Sequence, residues 1–308
     1  MRIVSLLPAA TEIVAALGMA DSLVGISHEC DFPTEVSTKP RVTRCLFDTA
    51  EMASDEIDRR VAETLASSGT IYALDEALLR QLEPDVILTQ RLCDVCAVGY
   101  GSVARMAATL PGAPRVVNLE PSSLADVFGD IRAVAAAVGA VGAGERLVKE
   151  LTVRMEVVRE RTLAVVQRPR CFLLEWIDPL FSAGHWNPEL VALAGGEEPV
   201  GRSGQHSGRI EWESVVKAQP EVIVVSCCGH TIERMRRDLP ILQRCSGWAE
   251  LPAVRAGRVY AVDGNAYFTR PGPRLIEGLE ILAGILHPEL FPEFAPARWP
   301  EAAVSRID

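Results

Sequence analysis

Residues 142–167 read GAGERLVKELTVRMEVVRERTLAVVQ, and this stretch decides the fold. Leu147, Leu151, Met155 and Val158 recur at helical spacing and make one apolar stripe. Glu and Arg fill the other faces, and no proline occurs between Pro121 and Pro169. The pattern predicts one uninterrupted helix over 142–167, about 35–40 Å long at ~1.5 Å per residue. A single long helix between two halves of a chain would act as a rigid strut.

Both flanks alternate strand and helix patterns. Upstream, strands are predicted over 2–6, 23–27, 70–74, 85–90 and 115–119, with helices over 9–18, 54–68, 75–84, 102–112 and 122–139. Downstream, strands are predicted over 170–176, 221–227 and 258–264. Helices are predicted over 187–196, 211–220 and 271–286, and over 231–245 with a break at Pro240. The tail after His287 is proline-containing and weakly periodic, and is expected to lie on the surface. One echo is informative. LLRQLEPDVILTQ (78–90) and SVVKAQPEVIVVSC (214–227) each run helix, proline, acid, buried strand. The expected fold class is therefore α/β: two Rossmann-like lobes with parallel sheets, joined by one long α-helix, with a ligand cleft between the lobes. The expected divisions are a lobe over 1–140, the connecting helix over 141–167, and a lobe with its tail over 168–308.

Composition narrows the class. The 308 residues are 48% hydrophobic and 23% charged, the balance of a soluble globular chain. A net charge of −10 with scattered Lys and Arg argues against a nucleic-acid partner, which needs a basic face. No run reaches the ~18 apolar residues of a membrane span, so no membrane insertion is expected. In MRIVSLLPAATEIVAALG, Pro8 and Glu12 interrupt the apolar run, which predicts a strand and helix rather than a signal peptide. Eight dispersed cysteines read as free thiols. Both features lead to the expectation of a cytoplasmic protein, unless the native start lies upstream.

In open parallel sheets, ligands sit beyond the carboxyl ends of strands. That rule selects Pro8 at the first tip, Cys30 after 23–27, and Gln90, Cys93 and Cys96 at and after 85–90. In the second half it selects Phe181, His185 and Trp186, then Cys227, Cys228 and His230, then Tyr267, Phe268 and Arg270. Three readings compete. Trp176, Trp186, Tyr267 and Phe268 could clamp a flat organic ligand, with Arg270 and His185 as polar anchors; a tetrapyrrole such as cobalamin fits that mixture. Alternatively, Cys93 and Cys96 could join Cys227, Cys228 or His230 around zinc or another metal. A thiol redox pair at Cys93 and Cys96 is the third, although the pair does not open a helix. The loop GRSGQHSG (201–208) places His206 as a further ligand contact. No Gly-x-Ser-x-Gly elbow is present, and no enzyme activity is expected.

The stretches LLPAATEIVAALG, LVGISHECDFP, LEPDVILTQ, FLLEWIDPLFSAG, LVALAGGEE, VVKAQPEVIVV and AYFTRPGPRL together span most of residues 2–285. In their order and spacing the chain resembles the solute-binding proteins of ABC transporters whose lobes are joined by one long helix, most closely those that bind cobalamin. The resemblance implies non-catalytic capture of cobalamin or a related corrinoid between the lobes. It aligns Tyr267 with an aromatic position and Arg270 with a polar contact. Gln90 and Ser207 stand where cobalamin binders often carry Trp. It also implies docking to a permease through one Glu on each lobe. Glu213 matches the second, whereas the first falls on Ala77 with Glu76 adjacent, a departure that argues against docking. The alternative is an intracellular metal- or thiol-dependent protein built on the same fold.

Overall fold

The computed structural model describes residues 1–91 and 99–307. The chain divides into two units. Unit 1 takes in Met1–Met52, Glu56–Pro121 and Ala125–Glu150; unit 2 takes in Ala53–Asp55, Ser122–Leu124 and Leu151–Asp308.

Unit 1 is built from β1 (Ile3–Ser5), α1 (Pro8–Ala16), β2 (Leu23–Ile26), β3 (Thr43–Cys45), α2 (Ser54–Ser68), β4 (Tyr72–Leu74), α3 (Glu76–Leu82), β5 (Val86–Gln90), α4 (Tyr100–Ala107), β6 (Arg115–Leu119) and α5 (Leu124–Ala137). The main sheet runs β2-β1-β5-β6 with every pair parallel. All five residues of β5 are buried, as a strand covered on both faces requires. Val4, Leu6, Ile87, Val103 and Met106 pack together as part of its core. Asp75 caps α3 by accepting the Leu78 amide at 2.9 Å, and Pro84 follows the helix end. The predicted strand 70–74 forms β4, but it pairs antiparallel with β3 in a separate ribbon.

The long helix is α6 (Val141–Thr162), 22 residues, and the division between units falls inside it. It ends five residues before the predicted stop. Buried Thr162 donates to the Leu193 carbonyl at 2.9 Å, which anchors the last turn. Beyond it, Leu163 and Val166 are 65% and 94% exposed, so further turns would bury nothing.

Unit 2 continues with β7 (Cys171–Trp176), β8 (Phe181–Ser182), α7 (Asn187–Leu193), β9 (Gly208–Arg209), α8 (Trp212–Ala218), β10 (Val222–Val225), α9 (Ile232–Gln243), α10 (Pro252–Arg255), β11 (Val259–Val262), α11 (Leu275–Leu286) and β12 (Val304–Arg306). The strand order is β12-β11-β10-β7-β8-β9. β7, β10 and β11 are parallel; β8, β9 and β12 join antiparallel. Two expectations change here. The tail does not merely cover the surface: β12 pairs with β11 and extends the sheet. Pro240 does not break α9, because Met235, Leu239 and Leu242 bury one face of the helix and hold it through the lost backbone bond. Arg154 of α6 makes a two-pronged bond to Glu280 of α11 at 2.9 and 2.7 Å, tying the second half of the long helix to unit 2.

Candidate functional site

In unit 1 the strand tips are closed more tightly than expected. Pro8 opens α1 and is half-buried. Cys30 is fully buried, with its Sγ 3.0 Å from Thr11 Oγ1 and 3.3 Å from Ser27 Oγ. It fills a gap between β2 and α1 and offers no surface to a ligand. Gln90 ends β5 and is only 5% exposed. One residue back, Thr89 pairs in register with Asn118 of β6, and Thr89 Oγ1 and Asn118 Oδ1 are both buried without a hydrogen-bond partner. Cys93 and Cys96 lie outside the described residues.

Unit 2 concentrates its polar groups at the carboxyl end of β7. Glu175 is half-buried there, and its carboxylate accepts from Asn187 Nδ2 at 2.6 Å, the Gly184 amide at 3.3 Å and the Ser207 hydroxyl. Burial raises its pKa, and those three donors oppose the rise. Glu198 lies nearby. It accepts the backbone amides of Leu173, Val200 and Gly201 at 2.8–2.9 Å, and burial pushes it up to about 7. These two carboxylates fasten both ends of the 199–207 loop. No pattern in the sequence marks Glu198 or Asn187 for that role, because neither sits at a strand tip.

The fastened loop presses on the β8–α7 turn. A Cβ at Gly184 would collide with backbone atoms of Gln205, His206 and Ser207, so only glycine permits the approach. The His185 amide donates to the Gln205 carbonyl at 2.6 Å, and the Gly204 amide donates to the His185 carbonyl at 2.8 Å. His185 takes φ +51°, a left-handed backbone that a non-glycine residue keeps only when its surroundings enforce it. The result sets His185 Nε2 3.1 Å from His206 Nδ1, with the rings edge to face. Burial, and then the neighbouring His206, hold His185 below the usual imidazole range. His206, expected on an open loop, is therefore held in place while remaining exposed.

The aromatic candidates separate into two groups. Trp186 is 3% exposed and Phe268 has no exposed surface; they form the floor of the region rather than a ligand face. Trp176, Phe181 and Tyr267 are half-buried and keep part of their rings open. The Trp176 ring lies 4.7 Å from that of His230, and the Arg209 guanidinium covers Phe181. Tyr267 meets Trp299 edge to face at 6.0 Å. Arg270 is only 7% exposed, so its side chain is buried rather than projected into water. The 263–270 loop is seated by a close approach of Gly264, where any Cβ would strike the Cys227 carbonyl.

The described members of the expected metal set do not form a cluster. Cys227 is fully buried in the apolar core beside Met235, and burial pushes its thiol far above the range in which a thiolate forms. Its neighbour Cys228 is exposed. His230 is buried, and burial followed by the Arg234 charge lowers it to about 4. Among the described residues no three metal-binding side chains cluster. The zinc reading, which joins Cys93 and Cys96 to Cys227, Cys228 or His230, finds no support in the described residues: Cys227 and Cys228, adjacent at the strand end, face opposite ways, one into the core and one into water.

A profile of the family described as periplasmic binding protein matches residues 3–266. The chain belongs to the periplasmic binding protein family. It is 26% identical, over 95% of its length and 82% of the relative's, to an ABC transporter substrate-binding lipoprotein of Bacillus subtilis. It is also 26% identical to the vitamin B12-binding protein of Vibrio cholerae, over 91% of this chain and 86% of that one. The solved periplasmic heme-binding protein of Roseiflexus superposes with a TM-score of 0.70 at 23% identity, covering 94% of this chain and 98% of that one. The periplasmic vitamin B12-binding protein of Vibrio cholerae gives 0.65 at 22%, covering 92% and 96%.

As a periplasmic binding protein the chain is a solute-binding protein and not an enzyme. The intracellular metal- or thiol-dependent alternative finds no support among these relatives. The cytoplasmic expectation is likewise corrected. A family described as periplasmic and a lipoprotein relative point to an extracytoplasmic location. The thiols misled because Cys30, Cys171 and Cys227 are simply small buried residues, which need no reducing compartment to explain them. Among the described residues no helix is long and apolar enough to cross a membrane.

Proposed function

We propose that this protein captures cobalamin or a related corrinoid or tetrapyrrole without chemical change. The observation that carries the reading is the set of half-buried rings near the carboxyl end of β7, where Trp176 pairs in register with Phe181 and, a few residues on, half-buried His185 meets the exposed imidazole of His206. A wide, flat, partly polar ligand needs such a surface: open ring area for its apolar face and a few fixed polar groups for its edge. Tyr267 and the buried Arg270 extend the set along the loop after β11. The several relatives named vitamin B12-binding protein support the same ligand class. Zinc has no place in this reading.

In the same reading Glu76 and Glu213 would contact a permease. Both are exposed in the first turns of α3 and α8. The test is a titration of the purified protein with cyanocobalamin and cobinamide, followed by visible absorbance and calorimetry. Saturable one-to-one binding is expected. Absence of heat and of spectral change with every tetrapyrrole tried would refute the reading.

A further inference from the structure

We infer that Ser54 is a positioning residue for ligand capture: tied to Asp238, it fixes the indole of Trp176 in the orientation that meets the ligand. The inference rests on the binding reading above, in which Trp176 belongs to the ligand surface, and deepens it by naming what aims that ring.

The Trp176 indole N–H is shared between two carbonyls. Asp178, two residues on, accepts it at 3.0 Å, and Ser54, 122 positions away, accepts it at 3.3 Å. The first bond is local and moves with the turn that follows β7. The second comes from a distant part of the chain, residues 53–55, which belong to unit 2. A ring held by a carbonyl is aimed only as well as that carbonyl is held.

Ser54 is held from behind. Its hydroxyl donates to Asp238 Oδ2, across 184 positions, and Arg234 Nη1 donates to the same oxygen at 3.0 Å. Ser54 is 1% exposed and Asp238 5%, so the chain of bonds is shut away from water. Arg234 and Asp238 stand four residues apart on α9, so the carboxylate is steadied by its own helix where it meets Ser54. The buried ring of His230 lies against the Trp176 ring, 4.7 Å between centroids. Two hydrogen bonds at its nitrogen and one ring contact thus fix the half-buried indole.

Anchoring a segment needs no charge. Apolar side chains could bury residues 53–55 without desolvating a carboxylate, and exchanging a buried ion pair for them is often neutral or stabilising. A hydrogen-bonded chain adds direction. Running from Arg234 through Asp238 and Ser54 to Trp176, it sets where one carbonyl points, and a ring already in its bound orientation gives up less freedom on binding.

The experiment titrates cyanocobalamin, cobinamide and haemin calorimetrically into wild type. Whichever binds is then titrated into Ser54→Ala, Trp176→Phe and the double variant, each checked for folding by its melting curve. Trp176→Phe keeps an aromatic face and loses the N–H. Ser54→Ala is expected to weaken affinity roughly 2–10-fold in the wild-type background, the worth of one hydrogen bond. In the Trp176→Phe background it is expected to have no effect, because no indole N–H remains for the Ser54 carbonyl to accept. Should Ser54→Ala fail to fold, Asp238→Asn, which keeps the shape of the side chain, replaces it in the same comparison. A lowered melting temperature with unchanged affinity would make the chain a structural staple only and overturn the inference. An equal loss in both backgrounds would also overturn it, since Ser54 would then act by another route. Either result leaves the binding reading intact, whereas no binding of any of the three by wild type refutes that reading and the inference with it.

Discussion

The indole nitrogen of Trp186 donates to the backbone carbonyl of Phe268 at 2.8 Å. This bond joins the start of α7 to the loop after β11, and both residues are buried. It accounts for the burial of two of the four aromatic candidates for ligand contact. Replacing Trp186 with Phe removes the donor and leaves a buried carbonyl without its partner, at a cost of about 1–3 kcal/mol. The check is a denaturant titration, in which the midpoint should fall with little change in slope.

Glu280 is 7% exposed and its partner Arg154 is only partly so. Arg154→Ala should destabilise the protein by roughly 1–3 kcal/mol, because it strands a buried carboxylate. The double variant Arg154→Met, Glu280→Leu should recover much of that loss, since no buried charge then remains. Thermal melts of the three variants test the ordering.

His230 titrates at about 4 in the fold, lowered from 6.5. Its folded pKa is depressed, so the unfolded chain binds the extra proton first as pH falls. Stability from this group is intact above about pH 6.5 and is lost progressively down to about pH 4. The loss is on the order of 3 kcal/mol at most. Glu198 shifts in the opposite sense and contributes an opposing slope across neutral pH. The clean measurement is therefore a difference: as pH falls from 6.5 to 4, His230→Gln should lose less stability than wild type, or gain more.

Trp176 is half-buried, and its Nε1 donates to the Asp178 carbonyl at 3.0 Å. Trp176→Ala should weaken tetrapyrrole affinity by about tenfold or more, the usual effect of deleting an aromatic anchor. An unchanged dissociation constant by calorimetry would remove Trp176 from the binding surface.

Glu76→Ala and Glu213→Ala should change neither ligand affinity nor stability by more than about 0.5 kcal/mol, since both side chains are exposed. Glu76 loses only an exposed pair with Arg80 at 3.6 Å. A drop in uptake with binding unaltered would assign these residues to permease contact.

Much of the fold was legible because its signals are local. An apolar run after Pro-acid marks β5 and β10, and Asp75 announces α3 through a cap three residues long. The stripe of α6 named the helix between the halves, though not its end at Thr162, which depends on a contact with Leu193. β12 was missed because three residues carry too little periodicity to distinguish a strand from tail; pairing with β11 makes it one.

Residue order by itself determined the alternation of strand and helix and the long connecting helix. Those follow from backbone hydrogen bonding and from periodic burial, which act over a few residues. Tertiary structure alone decided which candidates face water, that Cys227 is core while Cys228 is surface, and that His185 meets His206 across 21 positions. That meeting depends on a missing Cβ at Gly184 and on two half-buried carboxylates that fasten a loop, and side chains so far apart in the chain become neighbours only once the sheet beneath them has formed.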